Sequence, residues 1–323
     1  MLEFSKKQFI PASCNSSLSV VQYLRKRDDL MKKTYLFAAA AIIMWSTMST
    51  ISSLLLGKMD NYTVLAVSSF FATVAMIVIV LASRKLKLAL SYSIADYLKM
   101  AGIGLPGVFL YYVFYYEGAT RLPASQAFIT NYLWPIMSIV FAVIILRERM
   151  TVPKAVAVLM SFAGIFTVAG DDILSLSIGS IKGTLFCFAG AVCYGLFTVL
   201  NKKSSYDRQI SMTVAMFTSF ILSLIMVLLK GGSLSFSPSQ IPGILWNGVF
   251  TMALANLSWT LALSKGNTAK ISNLAYITPF LSLVWTFLIL EEAIKPTSLI
   301  GLCMIVAGIF IQLKGDSVSL KKK

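Results

Sequence analysis

The sequence contains no histidine. That absence excludes zinc sites built on imidazole, histidine general bases and histidine proton relays. Acidic residues are scarce too: 13 Asp and Glu stand against 28 Lys and Arg in 323 residues, and only 13% of the chain is charged. The four cysteines, Cys14, Cys187, Cys193 and Cys303, form no CxxC pair and no metal-ligand spacing. Three of them fall inside apolar runs, where cysteine behaves as a small apolar side chain. There is no P-loop, no GxGxxG after a strand and no HExxH, so no cofactor, metal or enzymatic centre is expected. Soluble domains carry about 25% charged residues, and a basic nucleic-acid-binding domain needs more polar surface still. The formal charge of +15 is therefore not the footprint of a nucleic acid.

What is plentiful is uncharged apolar sequence, 57% of the chain being hydrophobic. It falls into ten runs: 34–57, 61–83, 100–116, 122–146, 155–170, 183–201, 209–229, 231–264, 271–290 and 297–313. The longest divides at its polar start and leaves a helix over 241–263. A helix crosses a bilayer core with about 20 residues, within a range of roughly 17–25. Only helices or closed barrels satisfy every backbone group in lipid, and continuous apolar runs lack the alternation of a barrel. The expected fold is an all-α integral membrane protein of ten transmembrane helices.

The basic residues assign an orientation. With the N-terminus inside, every Lys and Arg except Lys58, Arg121, Lys182, Lys230 and Lys295 lies on the inner face. The positive-inside rule then places both termini in the cytoplasm; the expected location is the inner (plasma) membrane. Residues 1–30 lack the apolar core of a signal peptide; they read as a disordered tail, with Met31 as an alternative start. Residues 316–323 read as a basic cytoplasmic tail. Gly170-Asp171-Asp172 ends a helix without a partner aspartate deep in another span, which gives an intramembrane protease little support.

The chain also repeats itself. Shifted by 144 positions, Tyr132 meets Tyr276, Pro135 meets Pro279, Ser138 meets Ser282 and Glu148 meets Glu292. Ala163-Gly164-Ile165-Phe166 meets Ala307-Gly308-Ile309-Phe310. One gap-free offset across two helices is a specific signal, and it divides the chain into 31–171 and 180–315. Each half has five helices, an odd number, so the second enters the membrane upside down. The loop charges agree: Arg147-Glu148-Arg149 with Lys154 is net basic, whereas Glu291-Glu292 with Lys295 is net acidic. Inverted repeats are a recurrent construction of secondary transporters, in which two similar halves exchange which side of a midplane site is sealed.

Trp45-Ser46-Thr47, Asn131-Tyr132-Leu133-Trp134-Pro135, Asn256-x-x-Trp259, Tyr276-x-x-Pro279 and the two Ala-Gly-Ile-Phe runs resemble the drug/metabolite transporter superfamily, in its EamA-type branch. Asn-Tyr-Leu-Trp-Pro is similar to the aromatic amino-acid exporters of that superfamily. The resemblance covers Met31 to about Gly315. It implies that helices 3, 4, 8 and 9 line the central path and that helices 5 and 10 are peripheral.

Read on their own chemistry, the candidate residues form two groups. Pro135 and Pro279 each remove a backbone donor and kink a helix in mid-span, and their matching repeat positions favour a gating role over simple tolerance. The candidate substrate-binding residues are Asn131, Trp134, Tyr112, Asn256, Trp259 and Tyr276. Asn131, Trp134, Pro135 and Ser138 share one helix face. The Asn131 amide must face the interior, where it either binds substrate or joins two helices. The offset pairs Tyr112 with Asn256 and Tyr115 with Trp259. Rings and amides together suit a small neutral or zwitterionic molecule. Tyr115 and Tyr116, near the end of their run, read as interfacial belt residues. Ser46, Ser49, Thr50 and Ser53 are either pathway lining or a close-packing stripe. No carboxylate lies in mid-span, Glu117 and Glu148 being at span ends, which argues against cation/proton antiport and for facilitated movement. The expected function is export of an amino acid or similar metabolite by alternating access, from a monomer in the lipid bilayer. The rivals are a nucleotide-sugar carrier and a non-transport intramembrane protein.

Overall fold

The structure, a computed structural model, describes the backbone of residues 17–170, 177–265 and 274–321, and side chains over 32–170, 177–262 and 274–313. Asp171 and Asp172 lie outside the described residues, as do residues 1–16 of the expected tail. From Ser17 onward the backbone is already helical, continuous with the first span. No Pro or Gly between Ser17 and Lys33 interrupts it.

Among the described residues seven helices are long and apolar enough to cross a membrane: α1 (Lys32–Leu56), α2 (Asn61–Ala82), α3 (Ile94–Ala119), α4 (Ala124–Ile145), α6 (Ile178–Lys203), α7 (Arg208–Leu229) and α10 (Pro296–Leu313). Two shorter apolar helices, α5 (Val152–Val168) and α9 (Ala275–Leu290), fill the fifth and ninth places. The eighth, α8, is an α-turn Ile241–Leu245, a π-helical stretch Trp246–Leu254 and an α-helix Ala255–Lys265 in series. There is no strand among the described residues. The all-α, ten-span, two-repeat reading therefore holds, but several boundaries move. Helix α3 begins at Ile94 rather than near residue 100. A reciprocal cap between Ser93 and Asp96 starts it there, and charged residues in the first turn do not end a helix.

The two halves pack as inverted copies. Helix α1 lies on α8 as α6 lies on α3, α2 lies on α7, and α5 lies on α10. The second helix of each half opens with an aspartate N-cap: Asp60 accepts from the amides of Tyr62 and Thr63, and Asp207 from those of Gln209 and Ile210. At the α5–α10 contact, a Cβ on Gly164 would lie 2.7 Å from the Gly301 carbonyl oxygen, and one on Gly308 would lie 2.9 Å from that of Ala157. The 144-residue offset exchanges these two contacts. Small residues thus let the backbones touch, which drives helix association where lipid removes the hydrophobic effect. The outward faces are apolar: Leu159, Phe166, Ile144 and Leu228 are each at least 65% exposed.

Replacing Gly301 by Leu is expected to force α5 and α10 apart at a cost of about 1–3 kcal/mol, read as a lower unfolding temperature in detergent. Gly179→Ala, where a Cβ meets nothing within 4 Å, is expected not to lower it.

Candidate substrate cavity

The sequence interrupts its own helices around the centre. Pro135 sits in the first turn of the second part of α4, so α4 stops at Asn131, turns through Tyr132 and Leu133, and resumes at Trp134. Pro279 acts in the same way in α9, where a 3₁₀ turn Ala275–Ile277 precedes Thr278–Leu290. Tyr132 joins the two breaks: its hydroxyl donates to the Ala275 carbonyl at 2.6 Å. Helix α3 contains a π-helical stretch, Pro106–Leu110, whose repeat equivalent overlaps that of α8. Helix α1 breaks at Thr47. There the Ser46 and Thr47 hydroxyls donate to carbonyls one turn back, while Trp285 and Trp246 donate their indole N–H to those same hydroxyls.

These interruptions surround a cavity of about 330 Å³. Its wall is a run of rings in mutual contact. Tyr132 lies against Trp134 (6.3 Å between centroids), Trp134 against Tyr194 (5.1 Å), Tyr194 against Tyr111 (4.9 Å) and Tyr111 against Tyr112 (4.8 Å). Across from them Trp45 and Trp259 pack at 5.5 Å. Asn131 is buried, lines the cavity and donates from Nδ2 to the Tyr111 hydroxyl at 2.9 Å. It therefore both joins α4 to α3 and borders the open space, combining the two roles that its sequence position left open. Its Oδ1 has no partner among the described residues. Asn256 donates to the Met252 carbonyl at 2.7 Å, satisfying a backbone group in the π-helical stretch.

Of the candidate residues, Asn131, Trp134, Tyr112, Asn256 and Trp259 line the cavity together. Tyr276 is not among the lining residues; its ring packs on Phe310 of α10 at 5.5 Å. Trp45, Tyr111 and Tyr194 belong to the wall but not to the expected set. The lining also draws on α1, α2, α6 and α7 as well as α3, α4, α8 and α9, and α5 and α10 contribute nothing. Tyr115 and Tyr116 are not belt residues. Both are fully buried; Tyr115 stacks on Tyr111 and the Tyr116 hydroxyl accepts from Asn247 at 2.7 Å. The end of a span faces protein here because α2 and α8 cover it. Ser46, Ser49 and Thr50 are buried outside the cavity, with the Ser49 hydroxyl donating to the Ala124 carbonyl at 2.7 Å, so this stripe packs.

The cavity reaches the surface where α6 ends and α7 begins. Its mouth carries Asn201, Lys202, Arg208 and Gln209, on the basic face of the molecule. Among the described residues Lys202 and Arg208 are the only charged ones in its lining, and none of the lining residues is a carboxylate. Beside the mouth Glu148 pairs with Lys154 at 3.0 Å and Lys202 at 3.3 Å, and these contacts, Lys154 first, hold its carboxyl below the usual range. On the opposite face Glu117 pairs with Arg121 at 2.6 Å as a helix-end charge.

Tyr132→Phe is expected to lower stability by about 0.5–1.5 kcal/mol, because it strips the Ala275 carbonyl of its donor while leaving the ring in place. Thermal unfolding in detergent measures it; an unchanged midpoint would show that the two breaks are held by packing alone.

The chain resembles proteins whose names speak of transport. It is 25% identical over 300 residues to an uncharacterized transporter of Clostridium kluyveri, with 88% of this chain and 94% of that one covered. It is 24% identical to the aromatic amino acid exporter YddG of Ancylobacter novellus (64% and 72% covered). It is 26% identical to a probable terminal-alkyne amino-acid exporter of Streptantibioticus cattleyicolor (78% and 85% covered). A solved crystal structure shares the fold with a TM-score of 0.65 at 20% identity, over 87% of this chain and 97% of the other. The family model described as EamA-like transporter family matches twice, over residues 32–170 and 181–313. The chain, a multi-pass membrane protein built of two five-helix repeats around one cavity, belongs to the EamA-like transporter family.

Proposed function

We propose that this transporter exports an amino acid with an aromatic or other large apolar side chain from the cytoplasm by alternating access. The observation that carries the reading is the polarity of the cavity: among the described residues it has rings and neutral amides in its depth, Lys202 and Arg208 at its mouth and no carboxylate. Aromatic faces take an apolar body. The Asn131 Oδ1, without a partner among the described residues, suits an ammonium group, and Arg208 suits a carboxylate. The lack of an acidic lining residue disfavours a purely cationic cargo. Two relatives carry amino-acid exporter in their names, which supports the same class.

The basic face, with Lys85, Lys154, Lys202 and Arg208, is taken as cytoplasmic on the positive-inside rule, which puts both termini in the cytoplasm and the protein in the inner membrane. The cavity is then open to the side that loads an exporter. Pro135 and Pro279 are the hinge points, and the repeats 31–171 and 180–315 are the moving halves. With no carboxylate among the described lining residues, the reading is facilitation or exchange rather than proton antiport. A nucleotide-sugar carrier is the second reading, because Lys202 and Arg208 give a phosphate two cations at the mouth.

The test is uptake of a labelled amino-acid panel and a labelled nucleotide sugar into proteoliposomes, with and without a pH gradient. Aromatic amino acids are expected to accumulate without regard to the gradient. Trp134→Ala and Asn131→Ala are expected to reduce flux on the order of tenfold or more, the equivalent of about 1.4 kcal/mol of lost binding, while inserting and folding normally. Undiminished flux in both variants removes these residues from the site. Uptake of the nucleotide sugar alone selects the second reading.

A further inference from the structure

The same turn closes α4 and α9. Arg147 and Glu291, equivalent under the 144-residue offset, both take a left-handed conformation, with φ of 55° and 54°. Each is followed by a glutamate, Glu148 or Glu292. The two carboxylates meet different partners. Glu148, on the open basic face, lies on Lys154 and Lys202. Glu292, on the opposite face, reaches across to the other half and caps α4. Its Oε2 accepts from the Ala124 amide at 2.8 Å, and its Oε1 accepts from the Ser125 amide at 3.1 Å and from the Ser125 hydroxyl. A carboxylate on a helix N-terminus is favourable both as an acceptor for unpaired amides and through the helix dipole.

The capped segment is no passive loop. Ala124–Asn131 is buried along its whole length and ends in Asn131 of the cavity. The bonds to Glu292 tie the second half to the first on the face where the cavity has no mouth. Around them Leu122, Tyr115 and Tyr116 are buried, and Ser49 holds the Ala124 carbonyl. For that face to open, α4 must leave α9, and these bonds must break; a further α4–α9 polar contact, Tyr132 on Ala275, lies at the helix breaks beside the cavity.

We propose that Glu292 is the gating residue of this face: its carboxylate latches the N-terminus of α4 and keeps the cavity sealed there, and it releases α4 in each transport cycle. It acts through α4 rather than on the cargo. The inference rests on the transporter reading but not on any choice of substrate.

The test is sidedness of labelling, which needs no substrate. Phe128, on α4 and in the cavity lining, is replaced by cysteine after Cys14, Cys187, Cys193 and Cys303 are changed to serine. A membrane-impermeant maleimide is applied to spheroplasts and to inverted vesicles, so that each face is probed separately. With Glu292 intact, labelling is expected from the Lys202 face and protection from the Glu292 face. Glu292→Ala is expected to raise labelling from the Glu292 face on the order of tenfold, and Glu292→Gln, which still accepts one bond, by less. Glu117→Gln, a charge removed from the same face, is expected to change nothing. Unchanged protection in a folded Glu292→Ala protein overturns the assignment, as does an equal rise with Glu117→Gln. If Glu292→Ala does not insert, Glu292→Gln and Ser125→Ala carry the same comparison: a rise in labelling supports the latch, and unchanged protection overturns it. Failure of every amino acid in the transport panel would leave this labelling result standing, so the two readings fail separately.

Discussion

Hydrocarbon offers no hydrogen bonds, so a membrane helix can be interrupted only where protein or water takes the freed backbone groups. That constraint arranges this molecule. The interruptions at Thr47, Pro106–Leu110, Tyr132–Leu133, Trp246–Leu254 and Ala275–Ile277 all lie in the helices that border the cavity. The peripheral α5 and α10 run unbroken through their apolar stretches. The repair is visible in each of three breaks: Tyr132 on Ala275, Asn256 on Met252, and Trp246 and Trp285 on the hydroxyls beside the α1 break. The cavity is the space that broken helices leave when their neighbours cannot close over them.

The repeat gives near-symmetry, and transport needs its local failures. The proline breaks of α4 and α9 correspond, as do the left-handed turns at Arg147 and Glu291. Helices α1 and α6 do not: α1 breaks at Thr47, whereas α6 is continuous over Ile178–Lys203. The two glutamates that follow the matching turns also differ in partners. One sequence pattern read twice thus gives two faces, one open and one sealed, and exchanging their roles requires no new chemistry.

Much of the fold was legible in the sequence because its signals are local. Uncharged runs mark spans, mid-span prolines mark breaks, and a fixed offset marks the repeat. Asn131 and Trp134 were legible because an amide and an indole deep in a span need protein or cargo beside them. Other features depend on what packs where. Tyr115 and Tyr116 sit where a belt residue sits in sequence, yet α2 and α8 cover them. The π-helical stretch of α8 carries no proline signal of its own, so that helix reads as continuous. Arg208 and Lys202 look like ordinary inner-face charges, and only the spacing of α6 and α7 puts them at a cavity mouth. Tyr276 follows the repeat of Tyr132 in sequence, but its neighbour in space is Phe310.

The placement of strong polar contacts fits a protein that must have two states of similar energy. Hydrogen bonds to a charged group are worth about 1.5–3 kcal/mol each, and a conformational equilibrium is switchable only when its states lie within a few kcal/mol. A carboxylate paired deep in the bilayer would be too costly to separate, on the order of 3–5 kcal/mol with nothing to replace the partner. Glu292 and Glu148 instead lie beyond the ends of α9 and α4, outside the apolar helices. When α4 leaves Glu292, water can take both the carboxylate and the freed amides of Ala124 and Ser125, so only the net value of those bonds is lost. In the interior the contacts are neutral, Asn131 on Tyr111 and Tyr132 on Ala275, and neither leaves an ion behind when it breaks. Charge at the ends and neutral hydrogen bonds in the middle keep both gates breakable while the bilayer core is never asked to hold an orphaned ion.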